Sequence, residues 1–404
     1  MSIKSRLQQA REEIETHLLE DILPFWKTNV VDHFSDGFHG YIFYDLSINH
    51  ESEKGCILHS RILWAFSAAY MKWKAEDDLA VATRAFNYIK SFFQDREYGG
   101  FYWSLDREGK PLESKKHIYN QAFVIYGLTE YYRASGNEEA LEMAKELFHL
   151  IEKLGYDRKN KGYLEAFNRE WNTDEDLRLS AKDMNVKKTM NSHLHILEAY
   201  TNLYRVWKEP LLKARLEELF DVVMEKVLNQ ETGHYRLFFN ETWEPQADIV
   251  SYGHDIEGSW LMTEAVEVLE DRERAEKLKP LAVKMVDGCV KDGLQEDGSL
   301  INESEHGVVI DADRIWWVQA ESMVGFLNAY QLTNDERYLE CFLYSWRYVK
   351  TFLIDPDHGE WYWKLSPENE VDKSMPIVEP WKGPYHNGRA CLESIERLTK
   401  ILTD

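Results

Sequence analysis

The 404-residue chain is predicted to be all-α, an (α/α)6 barrel with short β-hairpin arms on one rim. Three features predict it. A glycine-centred turn recurs about every 60 to 70 residues, which marks a repeat array. Each interval between turns holds two helix-length runs. One run of each pair is amphipathic and the other is apolar nearly all round, so the second must be covered on every side.

The turns are Asp36-Gly37-Phe38-His39-Gly40-Tyr41, Tyr98-Gly99-Gly100-Phe101-Tyr102-Trp103, Lys161-Gly162-Tyr163-Leu164 and Thr232-Gly233-His234-Tyr235. Weaker copies are Asp297-Gly298-Ser299-Leu300 and His358-Gly359-Glu360-Trp361. Short alternating segments bounded by turn residues read as hairpin arms. The amphipathic runs 77–93, 138–154, 211–228, 274–290 and 336–352 are outer helices, and 5–23 supplies the sixth. The apolar runs 57–73, 118–132, 190–206, 256–269, 316–332 and 387–402 are inner helices. In alternation they close most simply into one toroid. No linker or composition break divides it, so residues 1–404 are expected to form a single catalytic domain.

The formal charge is −23, with acid and base mixed along the chain. No basic face is visible, which excludes a nucleic-acid or anionic-membrane binder. No run of about 18 apolar residues exists, so no membrane span is expected. The polar start, Met1 to Glu13, resembles no apolar leader, and a cytoplasmic protein is expected. Cys56, Cys289, Cys341 and Cys391 lack CxxC spacing and read as reduced core thiols, Cys391 included despite its closeness to His386.

All inner helices follow a hairpin arm, so their N-termini gather at one end. The residues there are polar for such apolar helices: His59 and Arg61; Lys116, His117, Tyr119, Asn120 and Gln121; Asn191, His193 and His195; His254, Asp255 and Glu257; Gln319 and Glu321; His386, Asn387 and Arg389. Burying a polar group without a partner costs about 1 to 3 kcal/mol. Core satisfaction alone is a poor account of six helices doing so together.

Single residues still have plain structural readings. A lone helix-start histidine is usually a cap or a satisfied core residue. Arg61 can neutralise a buried acid such as Glu257. His193 and His195, two apart, point about 200° apart on a helix and cannot share one ion. One is expected to face the cavity and the other a neighbouring helix. His254 and Glu257, three apart, share a face, which suits a carboxylate-tuned histidine as well as a metal. The aromatics Trp316, Trp317, Trp381 and Tyr385 suit a core, or a stacking platform for sugar rings.

The segments Cys56 to Trp64, Lys116 to Phe123, Met190 to Glu198, Ser251 to Trp260, Ile315 to Glu321 and Trp381 to Glu393 resemble, in order, those of the cellobiose 2-epimerases, within the N-acylglucosamine 2-epimerase superfamily. The resemblance covers essentially the whole chain. It implies an (α/α)6 barrel and a reaction without metal or cofactor, converting the reducing-end glucose of a β-1,4-linked disaccharide such as cellobiose or lactose to mannose. It assigns Arg61, His195, His254, Glu257 and His386 to catalysis, and Tyr119, Asn191, Trp317 and Trp381 to sugar contact. His59, Ser192 and Gly258 depart from the expected asparagine, threonine and alanine. The expected partner is a small sugar, with no nucleic acid or membrane, and the chain is expected to be a monomer or a weak homodimer.

Inverting C2 requires the open-chain aldehyde, whose carbonyl acidifies the C2 proton. A base removes it to give a cis-enediolate, and an acid returns a proton to the other face. His254 and His386 are the expected pair. His195 is expected to assist ring opening, Arg61 to stabilise the oxyanion, and Glu257 to orient His254 and raise its basicity. The nearest rival is a monosaccharide 2-epimerase or aldose–ketose isomerase acting on mannose or N-acetylglucosamine. Further rivals are an (α/α)6 glycoside hydrolase, which needs two carboxylates flanking a bond, with Glu257 and Glu321 as candidates, and a non-catalytic sugar binder.

Overall fold

A computed structural model describes residues 2–403. Six inner helices, Cys56–Trp73, Ile118–Ser135, Met190–Val206, Tyr252–Leu269, Trp316–Thr333 and His386–Thr403, each pack on the next, and the last packs back on the first. Outer helices Glu76–Tyr88, Glu138–Leu154, Pro210–Val222, Arg272–Asp292 and Arg337–Tyr348 alternate with them. Ile3–His17 packs on His386–Thr403, so the two ends of the chain make the sixth hairpin. The (α/α)6 barrel predicted from the repeat is the fold.

The two helix classes differ as their sequences require. Ile118–Ser135 buries every residue from Ile118 to Tyr131. Glu138–Leu154 buries the stripe that includes Ala140, Ala144, Leu147, Phe148 and Ile151, and leaves its charges outside except Glu152, which is held by Arg215. Asn137 caps it, its Oδ1 accepting from the Ala140 amide at 3.1 Å. The inner helix Tyr252–Leu269 begins four residues before the expected 256. His254 and Asp255 therefore lie inside its first turn. The outer helices at 76, 210 and 337 each run on into one π-helical turn, Ile89–Phe93, Val223–Val227 and Val349–Leu353.

The rim fixes where each inner helix starts. Strand Lys54–Gly55 pairs antiparallel with Ser104–Leu105, Lys116–His117 with Ala166–Phe167, Lys188–Thr189 with Phe238–Phe239, Ile249–Ser251 with Glu303–Glu305, and Arg314–Ile315 with Lys364–Leu365. A bridge between Ile42 and Val378 closes the circle. Each inner helix is thus tied to the hairpin arm of the following repeat. Buried Lys54, Lys116 and Lys188 reinforce the joint, reaching Asp32, Asp95 and Asp157 at 2.8, 2.9 and 2.8 Å. Gly162 shows why the turn needs glycine. Its φ is +71°, and a Cβ there would meet Trp243 at 2.5 Å and His193 at 2.6 Å.

Candidate active site

Helical position sorts the polar residues into two sets. The fourth residues of five inner helices, His59, Gln121, His193, Asp255 and Gln319, turn outward to the hairpin arms. Gln121 accepts from the Phe101 amide and donates to its carbonyl, both at 2.9 Å. His193 Nε2 accepts from the Tyr163 amide at 2.9 Å. Asp255 accepts from the Tyr235 amide at 2.7 Å and Gln319 from the Leu300 amide at 2.8 Å. His59 lies at the same place against Phe38, ring centroids 5.5 Å apart. This set is scaffold. Core satisfaction thus accounts for one set of the polar helix-start residues.

Two residues on, and so about 200° around, the sixth residues Arg61, Phe123, His195, Glu257 and Glu321 turn to the barrel axis. A cavity of about 430 Å³ opens there. Arg61, Tyr119, Asn191, His195, His254, Glu257, Trp317, Trp381 and His386 all line it. The nine residues singled out in the sequence are therefore brought together. His193 faces away, as its spacing from His195 requires.

The floor of the cavity is organised by Arg389, a residue the sequence suggested only as one of many polar helix-start residues. Its guanidinium meets Glu198, and lies 2.6 Å from Glu257 and 2.7 Å from Glu321. It is sandwiched between Tyr385 and Trp260, 4.1 and 4.7 Å from their ring centres. Glu257, Glu321 and His386 hold ligand atoms within 4.8 Å of one another, a spacing that suits a cation. The guanidinium supplies that positive charge.

Two of the carboxylates carry histidines. His195 Nδ1 donates to Glu198 at 2.9 Å, and His386 Nδ1 donates to Glu321 at 2.7 Å. A carboxylate on Nδ1 fixes the proton there and leaves Nε2 a free lone pair. Glu257 does not hold His254, which corrects the reading from their i, i+3 spacing. Its Oε1 goes to Arg389, and Ser251 Oγ holds His254 Nδ1 at 2.8 Å. The His–Glu pair at that spacing is His195 with Glu198. Glu198 lies outside the residues expected from the sequence, although its i, i+3 spacing from His195 carries the same signal. Arg61 does not neutralise Glu257 either. It donates to the Trp381 carbonyl and, at 3.0 Å, to the Tyr119 hydroxyl.

Burial sets the protonation states. It pushes His254 down to about 3, and His386 well below its ordinary value with Arg61 and Arg389 adding to the effect. His195 is lowered by burial, against the pull of Glu198. Glu257 is raised well above the usual carboxylate range by burial and by Glu321. Its Oε2 finds no partner among the described residues. Burial would also raise Glu198, but Arg389 and His195 outweigh it and hold it low. The site therefore offers neutral imidazoles, a carboxyl in Glu257 that holds a proton more readily than usual, and the fixed cation Arg61.

The walls are aromatic. Trp317 lies against both histidines, 4.7 Å from His254 and 5.6 Å from His386 between ring centres. Trp381 lies apart from them, near Tyr119 and Trp103 at 5.9 and 5.8 Å. Trp316 and Trp363 add to the wall. Residues Leu179 to Asp183, from a long connector with no sequence signal of its own, also line the cavity.

The profile of the N-acylglucosamine 2-epimerase family (GlcNAc 2-epimerase) matches residues 37–388. The chain belongs to this family. It is 44% identical over 384 residues to a cellobiose 2-epimerase of Bacteroides fragilis, covering 95% of this chain and 98% of that one. It is 39% identical to a cellobiose 2-epimerase of Dictyoglomus turgidum, covering 97% and 100%. The structure of the cellobiose 2-epimerase from Bacillus thermoamylovorans B4167 superposes with a TM-score of 0.93 at 43% identity, over 96% of this chain and all of that one.

Proposed function

We infer that this family member is a carbohydrate 2-epimerase acting on the reducing-end glucose or mannose of β-1,4-linked disaccharides, cellobiose and lactose among them. The observation that carries the reading is the pair His254 and His386, both beside Trp317 and both facing one cavity. The substrates named by the related cellobiose 2-epimerases give the sugar class.

His195, with Nε2 free, takes the anomeric hydroxyl proton and opens the ring. Glu257, holding a proton, donates to a sugar oxygen from below. One of His254 and His386 removes the C2 proton. The pair of electrons left at C2 moves into the C1–C2 bond, and the C1 carbonyl becomes an oxyanion beside Arg61. That negative charge favours the protonated form of the adjacent imidazoles. The histidine on the other face takes up a proton from water and so becomes able to return one, while the proton removed from C2 is lost to solvent. Return to the other face of C2 completes the inversion; return to C1 instead, with the O2 proton passing to O1 so that C2 becomes the carbonyl, yields the ketose as a side product.

Hydrolysis fits the carboxylates poorly. Glu257 and Glu321 share one guanidinium nitrogen, so they lie on the same side of any sugar above Arg389. Glycoside hydrolysis needs them to flank the bond. The test is cellobiose in heavy water, followed by NMR. The expected products carry deuterium at C2 and a mannose reducing end. Free glucose indicates a hydrolase, and unchanged cellobiose a binder.

A further inference from the structure

The connector between strand Ala166–Phe167 and strand Lys188–Thr189 has no helix or strand, yet its residues Leu179 to Asp183 line the sugar cavity. What places it is therefore a question of side-chain anchors. Within the connector, Asn185 clips two backbone groups, accepting from the Leu177 amide at 3.0 Å and donating to the Glu175 carbonyl at 2.8 Å. Ser180 and Asp183 close a tight turn, the Ser180 amide donating to Asp183 at 2.8 Å. From the barrel, His117 Nε2 donates to the Leu177 carbonyl at 3.2 Å, and Lys115 Nζ to the Asp176 carbonyl at 2.6 Å.

His117 is the buried one of the two anchors, 1% exposed. It lies on the strand that leads directly into the helix carrying Tyr119. Its ring is 5.5 Å from Trp103, which in turn is 5.8 Å from Trp381. On its other side, Nε2 lies 3.7 Å from Glu165 Oε1. Glu165 is wholly buried and accepts from Ser192 at 2.6 Å and Thr189 at 3.0 Å, at the start of the helix that carries Asn191 and His195. One imidazole thus lies against the connector, the aromatic wall and Glu165 at the base of the helix that carries His195.

We propose that His117 is a positioning residue for sugar selection: by holding the Leu177 carbonyl it sets residues Leu179 to Asp183 over the second sugar, and so favours disaccharides over monosaccharides. The proposal rests on the disaccharide reading above. Leu177 is two residues from Leu179, so loss of this bond frees the segment where it meets the cavity. The reacting carbon is served by other helices. The effect falls on the contacts remote from it, whose binding energy is used to hold the reducing end.

The test uses His117→Phe, which keeps a ring against Trp103 but removes the donor, and His117→Gln, which restores an amide donor. The readouts are kcat/KM for cellobiose and for mannose, and the rate of trypsin cleavage after Arg178 or Lys182. In His117→Phe the cellobiose-to-mannose ratio is expected to fall at least about fivefold, the scale of one hydrogen bond. Cleavage is expected to quicken, and His117→Gln to recover most of both. An unchanged ratio or unchanged cleavage in His117→Phe overturns the proposal. If that variant does not fold, Asn185→Ala, which loosens Leu177 from the connector side, is expected to reproduce the split, and an unchanged ratio there overturns it. Wild-type protein that turns over mannose but not cellobiose refutes the disaccharide reading instead, and the cleavage rates then still report on the anchor.

Discussion

The Nδ1 of His386 lies 2.7 Å from Oε1 of Glu321, whereas the Nδ1 of His254 meets the hydroxyl of Ser251, at 2.8 Å. The two histidines beside Trp317 are therefore unequal. His386 has a carboxylate to stabilise its charged form, and His254 has a group that can donate or accept. A proton-transfer pair built this way has one fixed tautomer and one adaptable partner.

Replacing either histidine should abolish epimerisation, and general acid–base groups typically contribute about 10²- to 10⁴-fold. Heavy water separates their roles. His254→Ala and His386→Ala should each retain slow C2 exchange on one epimer only, because one base still serves one face. NMR of cellobiose and of its mannose-ended epimer, incubated separately, reads this out. Near-wild-type interconversion in either variant would discard the two-histidine mechanism. Glu321→Gln should lower turnover more than Ser251→Ala.

The two tryptophans should differ. Trp381 stands away from the histidines, so Trp381→Ala should weaken cellobiose use more than mannose use. Trp317 packs on both His254 and His386, so Trp317→Ala should depress both sugars. The measurement is kcat/KM for each sugar in each variant. A ratio unchanged in Trp381→Ala would favour a monosaccharide epimerase and leave that tryptophan as wall packing.

Turnover should survive dialysis against EDTA. Arg389 already places a cation against Glu257 and Glu321. Complete loss of activity, restored by a divalent ion, would show that the three-residue cluster with His386 binds metal in use.

His193 should tolerate glutamine. Gln121 and Gln319 hold the corresponding hairpin amides in their own repeats. His193→Gln should therefore keep the fold and most activity, while His193→Ala should lose about 1 to 3 kcal/mol from the unpaired amide. The substitution also carries a pH signature. Burial lowers His193 from 6.5 to about 3. Below pH 6.5 the unfolded chain takes up a proton that the folded chain refuses, so stability falls with falling pH down to about 3, by up to about 1.4 kcal/mol per pH unit. Denaturant melts between pH 7 and pH 4 should show a shallower loss for His193→Gln, and parallel curves would contradict this assignment.

The repeat, the two helix classes and the end of the barrel where the chemistry gathers are legible in the amino-acid order. Glycine spacing and hydrophobic periodicity are local properties, and six equivalent helices must start together. It also separated His193 from His195, because a 200° rotation follows from helix geometry alone. Which carboxylate serves which histidine was decided only by the tertiary structure. Glu198 and Glu321 come from different helices and converge on Arg389 from a third, and His254 turns to Ser251 while Glu257 turns to Arg389. Such choices depend on which charged groups share a buried space, where an unpaired charge is costly. The segment Leu179 to Asp183 was invisible for the same reason. It has no periodicity, and its place over the cavity comes from bonds to His117 and Lys115, which lie some 60 residues earlier in the chain.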